Sequence, residues 1–453
     1  MSGPRNTAVW ALNAVLEDGA YSDTILDILL ERDRTLTVED RALATEITYG
    51  TLRNLGRIDW VLARFSKRSL PSLDADVLNI LRSALYQILF LQKVPSYAVV
   101  DEAVKLAAIL GKKSSGSFVN GVLRSALRGM EAIDYPSPKK DPLGFLLACY
   151  SVPRWLGKLL IDRLGITGAT VVASRYTERA PVVLRTNATK IARQELISRL
   201  SAQGHAVSQT RFSPFGVLFR GGGAIFKYEA FRDGLFSVQD EASQLSPIAL
   251  GVGPGMAVLD VCAAPGIKGT FCAELMGDDG SVLSVEVNEG RARKIPENAR
   301  RLGIRSLRVV AADIARAPLI PDARFDRVLV DPPCSALGII RRSPEIKWRV
   351  APGDLPVLVK KQRKILESSA EFLKTGGALV YSVCTINPDE GIGVVRDFLC
   401  AHPEFKLDDV TPFVGEACAP LVTDGAVFST PDRLAQDDPD IPDGFFIARL
   451  VKS

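Results

Sequence analysis

Hydrophobic positions along the chain change period twice, and the changes predict its parts. Across residues 4–129 apolar side chains recur at helical spacing. Leu78, Leu81, Leu85 and Ile88 fall at i, i+3, i+7 and i+10, one face of a helix. Thr37-Val38-Glu39-Asp40 has the form of a capping box before the helix carrying Leu43 and Ile47. Pro95, Gly111 and Gly116 punctuate the rest, so the pattern predicts six or seven helices, no strand, and an independent all-α bundle. Pro136, Pro138, Lys139, Lys140 and Pro142 then read as a linker over 130–150.

Beyond the linker the pattern is mixed. Residues 153–203 look helical around a short strand, Pro181-Val182-Val183-Leu184-Arg185. Residues 206–238 hold several short strands, with Gly221, Gly222 and Gly223 as a turn. This is a small α+β module. From 256 onward β-branched runs at 257–261, 282–287, 307–310, 327–330 and 378–382 alternate with helical stretches such as 291–302 and 358–373. That alternation predicts an α/β domain with a doubly wound, mostly parallel sheet. Residues 431–444 read as a loop before a last strand at 445–451.

Composition narrows the classes. The 453 residues are 47% hydrophobic and 24% charged, ordinary for globular chains. Net charge is +4, too small to imply nucleic acid alone, but it is segregated: residues 1–50 carry 4 basic and 9 acidic side chains, residues 51–140 carry 14 and 7. A basic face of this kind is one footprint of a phosphate backbone, and a solvated helical surface is the other reading. Seven cysteines without regular spacing form no disulfide framework, and two histidines argue against zinc, so no metal is expected. Free thiols, no leader pattern and no membrane-length apolar run point to a cytoplasmic protein with no membrane association. Nothing in the chain demands a dimer, so a monomer is expected.

Candidate chemistry sits where strands end. In open α/β sheets ligands bind at the carboxyl edge of the strands. Asp331-Pro332-Pro333-Cys334 follows one expected strand and Cys384 closes another. Two thiols beside a carboxylate suit covalent chemistry on an electrophilic carbon. The first α/β strand runs into Asp260-Val261-Cys262-Ala263-Ala264-Pro265-Gly266-Ile267-Lys268, where small residues let a ligand approach the backbone. It is neither a dinucleotide fingerprint nor a phosphate loop. Glu286 ends the second strand, placed for ribose hydroxyls, and Asp313 follows the third. Acids in those places without a phosphate cradle favour a nucleoside cofactor such as S-adenosylmethionine.

These runs resemble a known family. Cys262-Ala263-Ala264-Pro265-Gly266, Asp331-Pro332-Pro333-Cys334-Ser335, the stretch from Ile340 to Trp348, Ser382-Val383-Cys384-Thr385 and the run Val238-Gln239-Asp240-Glu241-Ala242-Ser243 look like the RNA cytosine-C5 methyltransferases of the NOL/NOP/Sun type. The helical N-terminus is similar to the NusB-like RNA-binding domain of the bacterial 16S (small-subunit) rRNA methyltransferase B type. The resemblance implies a NusB-like bundle at 1–135, a small RRM-like α+β subdomain at 150–235 and a Rossmann-like class I methyltransferase domain at 236–453. It implies a 5-methylcytosine-forming enzyme acting on small-subunit rRNA, with S-adenosylmethionine held by residues 262–268, Glu286, Asp313 and Asp331.

By the same resemblance Cys384 is the nucleophile that adds to cytosine C6, Asp331 contacts the pyrimidine edge, and Cys334 helps release the adduct. An unperturbed thiol is only about 3% thiolate at pH 7, so local activation helps, and Lys268 is a candidate source of positive charge. The target base must be unpaired or flipped, because C6 lies inside the stack. Where the family reads Pro-Gly-Gly-Lys-Thr, this chain has Pro265-Gly266-Ile267-Lys268-Gly269. A β-branched residue at 267 restricts a turn that glycine would relax, which bears on the affinity for the cofactor and not on its identity. The remaining cysteines, Cys149, Cys272, Cys400 and Cys418, read as small buried hydrophobes, and Cys262 as lining.

Basic residues Arg341, Arg342, Lys347, Arg349, Lys360, Lys361, Arg363 and Lys364 surround Trp348. They read either as an RNA track with a stacking aromatic or as a surface around a core tryptophan. Competing functions are a tRNA cytosine-C5 methyltransferase, a DNA cytosine methyltransferase using Cys334, an exocyclic-amine methyltransferase, and a non-enzymatic RNA-binding assembly factor with a decayed core.

Overall fold

The computed structural model describes residues 3–220, 225–316, 324–433 and 440–453. It divides into two compact units, one running to Arg179 and including Ile340–Pro352, the other comprising Ala180–Ile339 and Gly353–Ser453. The expected turn at Gly221–Gly223 and part of the expected 431–444 loop lie outside the described residues.

The N-terminal unit opens with six α-helices, Pro4–Leu16, Ser22–Arg32, Val38–Phe65, Ala75–Phe90, Ser96–Ile109 and Gly116–Gly129. The third begins as its sequence predicts. Thr37 accepts from the Asp40 N–H, and the Asp40 carboxylate accepts from the Thr37 N–H. Leu78, Leu81 and Leu85 enter the bundle core with Val9, Ile58, Leu62, Leu106 and Leu123, and Ile88 packs against it. The expected linker departs from prediction. Pro142 occupies the first turn of a helix, Pro142–Tyr150, where its missing N–H costs nothing, and Asp141 caps it through the Gly144 N–H. A longer helix, Arg154–Arg175, completes the unit and carries a kink at Gly165.

The second unit begins with an antiparallel sheet of β1 (Val182–Thr186), β2 (Val207–Gln209), β3 (Gly216–Phe219) and β4 (Phe236–Val238), in the order β2-β3-β1-β4. Leu184, Val217 and Phe236 pack there with Leu196 and Leu200 of the helix Arg193–Ala202.

The large sheet contains β5 (Met256–Val261), β6 (Gly280–Glu286), β7 (Leu307–Ala311), β8 (Phe325–Val330), β9 (Leu373–Val383), β10 (Phe405–Asp408), β11 (Val422–Thr423), β12 (Ala426–Ser429) and β13 (Phe445–Lys452). Its order is β11-β12-β13-β9-β8-β5-β6-β7, with β10 also paired to β13. Strands β5 to β9 are mutually parallel, and β13 joins β9 antiparallel. The doubly wound expectation holds, with an antiparallel extension that short, mixed strands concealed. Neighbouring strand residues go to opposite cores: Val258 and Val380 to one, Leu259, Leu379 and Tyr381 to the other. A sheet buried on both faces reads as the continuous apolar runs seen in the sequence. Strand order reverses on either side of β5, so the crevice beyond the ends of β5 and β8 is the switch point where ligands bind.

Candidate active site

Three strand ends meet at that crevice. β5 runs into the loop 262–266, β8 into Asp331, and β9 into Cys384. Parallel pairing sets Val330 beside Tyr381, which brings the two cysteine-bearing loops together. Cys334 Sγ and Cys384 Sγ lie 3.4 Å apart. Both are free thiols, partly buried rather than sealed in the core. The hydrogen bond with Cys384 and then burial push the Cys334 thiol well above its ordinary value. At this separation either sulfur can donate to the other.

Asp331 faces this pair. Its Oδ2 accepts from Lys268 Nζ at 2.5 Å, while Oδ1 has only a long contact, 3.5 Å, from Ser382 Oγ. Lys268 is largely buried and also lies 5.2 Å from the Phe445 ring centroid. Its burial and its bond to Asp331 set it apart from a surface lysine.

The cofactor loop explains the departure at 267. Gly266, which leads into the helix, is left-handed with φ 93°, and a Cβ there would stand 2.8 Å from Ile295 Cγ2. Ile267 is merely the first residue of the helix Ile267–Leu275. The expected restriction by Ile267 is thus corrected, because the position that requires glycine still has it. Gly269 is also required in this chain. A Cβ would come within 2.4 Å of Asp260 Oδ2 and 2.8 Å of Ser284 Oγ.

Cys262 holds a left-handed φ of 60°, and burial pushes its thiol up to about 12, which suits lining rather than reaction. Ala263 is buried, Ala264 half-buried and Pro265 exposed. Glu286 reaches the same loop: its carboxylate accepts from the N–H groups of Ala264 at 3.2 Å and Asn288 at 3.0 Å. Asp313 follows β7, and its bonds are local, to the Ala315 N–H and Arg316.

Three further contributors went unread in the sequence. Asp260 is 1% exposed, and its Oδ1 has no hydrogen-bond partner. Burial raises its pKa to about 7. A buried carboxylate oxygen left unmatched beside a ligand loop fits a cationic, hydrogen-bonding group such as the methionine portion of S-adenosylmethionine.

Glu390 is wholly buried and surrounded by five donors. They are Ser335 N–H at 2.7 Å, Ser335 Oγ at 2.5 Å, Gln362 Nε2 at 3.0 Å, and Thr385 Oγ1 and Asn387 Nδ2 at 3.2 Å. Ser335 follows Cys334 and Thr385 follows Cys384, so one carboxylate ties both cysteine loops.

Arg185 of β1 does the same for the cofactor helix. Its guanidinium pairs with Glu274 at 2.6 Å and donates to Gln239 Oε1 and the Ile267 carbonyl. The run 238–243 is therefore a junction: Gln239 meets Arg185, Asp240 caps the helix Glu241–Leu250, and Glu241 accepts from the N–H groups of Phe212 and Ser213.

The structure decides between the two readings of residues 341–349 and corrects the expectation for Cys400. The basic stretch at 341–349 is not an RNA track. Lys347 is fully buried and donates to the Arg53 carbonyl at 2.7 Å, Trp348 Nε1 donates to the Leu52 carbonyl at 2.9 Å, and Arg349 donates to the Ala20 carbonyl, all inside the helical unit. Lys360, Lys361, Arg363 and Lys364 remain exposed. Cys400 is exposed, unlike Cys272 and Cys418, which are buried as expected; Cys149 is half-buried.

Comparison with known proteins identifies the family. Residues 247–451 match the family model described as 16S rRNA methyltransferase RsmB/F, residues 2–128 the NusB family, and residues 152–225 the RsmF/B-like ferredoxin-like domain. The chain is 35% identical to the probable ribosomal RNA small subunit methyltransferase B of Bacillus subtilis, over 99% of this chain and 98% of that one. It is 30% identical to the ribosomal RNA small subunit methyltransferase B of Serratia proteamaculans, with the same coverage. The crystal structure of PH0851 superposes with a TM-score of 0.83 at 26% identity, covering 100% of this chain and 99% of that one. No described helix is long and apolar enough to cross a membrane. The chain belongs to the 16S rRNA methyltransferase RsmB/F family and is an S-adenosylmethionine-dependent RNA methyltransferase.

Proposed function

We propose that this enzyme forms 5-methylcytosine in small-subunit rRNA through a covalent bond between Cys384 and cytosine C6. The observation that supports it is the approach of two free thiols to 3.4 Å at adjacent strand ends, beside the Asp331–Lys268 pair. When bound, S-adenosylmethionine supplies an electrophilic methyl group. Residues 262–268 with Asp260, Glu286 and Asp313 would hold it.

C5 of cytosine is a poor nucleophile until a sulfur adds to C6 and breaks the ring's aromaticity. Cys384 makes that bond as the thiolate. Asp331 holds the N3 edge of the ring through the oxygen not engaged by Lys268. After C5 is methylated, water acting as base takes the C5 proton, the C–H electron pair re-forms the C5–C6 double bond, and the C6–S bond breaks with its electron pair on sulfur, which restores the aromatic ring and the Cys384 thiolate. Cys334, adjacent to that sulfur, takes part in this release. The base is unpaired or flipped when it reacts. The chain works as a monomer in the cytoplasm, with the helical region to 135 adding RNA affinity, a subdomain at 150–235 and the methyltransferase region from 236.

A reading with Cys334 as nucleophile, as in DNA cytosine methylation, leaves Cys384, 3.4 Å away at the next strand end, without a role. RNA bearing 5-fluorocytosine separates them. Cys334→Ser is expected to trap a covalent complex and Cys384→Ser to trap none. A Cys384→Ser protein that still traps RNA defeats the assignment. Bisulfite sequencing of rRNA and tRNA from a deletion strain identifies the substrate; loss of a tRNA mark alone would replace the rRNA reading.

A further inference from the structure

The N-terminal unit contains a cavity of about 420 Å³ whose wall carries three arginines, Arg53, Arg57 and Arg179, with Glu46, Tyr86 and Phe90. Glu46, Arg53 and Arg57 come from one helix, Val38–Phe65. Their spacing of seven and four residues places them along one face. Three guanidiniums thus meet one carboxylate. That carboxylate is already engaged, since it accepts from Tyr86 Oη at 2.6 Å and stands 3.8 Å from Arg179.

Arg53 and Arg57 are incompletely matched within the protein. Arg53 is only 8% exposed, yet its Nε has no hydrogen-bond partner, and its Nη2 has only the Arg341 carbonyl at 3.4 Å. Arg57 Nε is likewise buried and unmatched, while its guanidinium lies over the Phe90 ring at 5.3 Å and the Tyr135 ring at 5.6 Å. Leaving buried guanidinium donors open is costly unless something completes them. The complement of a rigid fork of N–H donors is a planar or tetrahedral oxyanion. Tyr86 and Phe90, stacked at 5.3 Å, supply an apolar wall beside it. Gly50 is what lets Tyr86 lie there, for a Cβ would fall 1.9 Å from its ring.

We propose that this cavity binds the phosphate group of a nucleotide, with Arg53 and Arg57 on the oxygens and the base against the aromatic wall. The choice of a nucleotide over another phosphate ester rests on the RNA-methylating function. The nucleotide is either part of an RNA strand or free, and the two sources are separable. The cavity is remote in sequence from Cys384, so failure here leaves the covalent mechanism standing, and failed trapping at Cys384 leaves this site standing.

The test uses the full-length protein and three probes: a 12-residue single-stranded RNA, adenosine monophosphate and inorganic phosphate. Variants are Arg57→Gln, Arg57→Lys and Arg179→Gln, sparing the more deeply buried Arg53. For an RNA-linked nucleotide, Arg57→Gln is expected to weaken RNA binding roughly fivefold to tenfold and to lower the slope of log affinity against log salt by about 0.7, one phosphate contact on a single strand. Arg57→Lys should keep the salt slope and recover only part of the affinity. For a free nucleotide, adenosine monophosphate and phosphate should bind the wild type and lose affinity in Arg57→Gln, with RNA binding unmoved. Thermal midpoints control for folding. If neither the salt slope nor mononucleotide binding moves in any variant, or if RNA affinity falls in Arg57→Gln with an unchanged slope, the proposal is overturned.

Discussion

Glu390 and Arg53 are both buried charged side chains, and the fold treats them oppositely. Glu390 is 0% exposed and has five donors around it, contributed by both cysteine loops and the helix Asp354–Ala370. Arg53 is almost as deep and has an unmatched Nε beside an open cavity. A fully matched buried charge fixes geometry, since every partner is held by the others. An unmatched one is a vacancy in the bonding of the protein alone. The difference separates a residue that positions the chemistry from one that awaits a ligand. Asp260, with its own orphan oxygen at the cofactor loop, falls on the second side.

The largest expected effect comes from breaking the matched cluster. Glu390→Gln sets an amide N–H against groups that all donate, at a cost of about 1–3 kcal/mol in stability. It should slow covalent capture of 5-fluorocytosine RNA by roughly 100-fold, because small misplacement of a nucleophile is costly. Cofactor affinity should stay unchanged. A variant that captures RNA at the wild-type rate shows that the cysteine loops hold without it.

Asp260→Asn sharpens the other side of the comparison. In the folded protein Asp260 keeps its proton to about pH 7, against 3.8 for the ordinary side chain. Between those values the folded state binds more protons than the unfolded, so raising the pH favours unfolding. Denaturant melts of the cofactor-free protein at pH 5 and pH 8 should show wild type losing stability across that window and Asp260→Asn losing less. The same variant should bind S-adenosylmethionine about tenfold more weakly. Equal pH dependence in both proteins would contradict the buried-acid reading.

Gly50→Ala probes the arginine cavity through its wall. The added methyl must displace Tyr86, an overpacking cost of about 1–3 kcal/mol by thermal or denaturant melts. Smallest of all is Ile267→Gly. Its helix-start position predicts a stability change within about 1 kcal/mol and unaltered cofactor binding by calorimetry. Gly266→Ala, one residue earlier, should weaken binding measurably, because both its φ and its contact with Ile295 forbid a side chain.

Much of this site was readable because it lies in local runs. The strands β5, β8 and β9 are apolar on both faces, and the functional residues follow them directly. Glu390 was not readable, since it matters only through partners 3 to 55 residues away that the fold assembles. The basic stretch from Arg341 to Arg349 left two readings open for the same reason. Lys347 and Trp348 are satisfied by backbone carbonyls almost 300 residues earlier, which no local charge pattern reveals. At 142–150 proline signalled a break where it begins a helix. At 267 the family pattern drew attention to the wrong member of a glycine pair, and only the dihedral angle of Gly266 shows which one bends the chain.

β13 lies between β9 and β12 in the sheet and also carries β10. Every strand it pairs with precedes it in sequence. During synthesis the flank of the strand leading to Cys384 is therefore an open hydrogen-bonding edge until residues 445–452 leave the ribosome. Pairing so late and across such sequence distance is slow to form. Competence for methyl transfer should consequently arrive in a single step once that strand has paired rather than accrue as the chain lengthens.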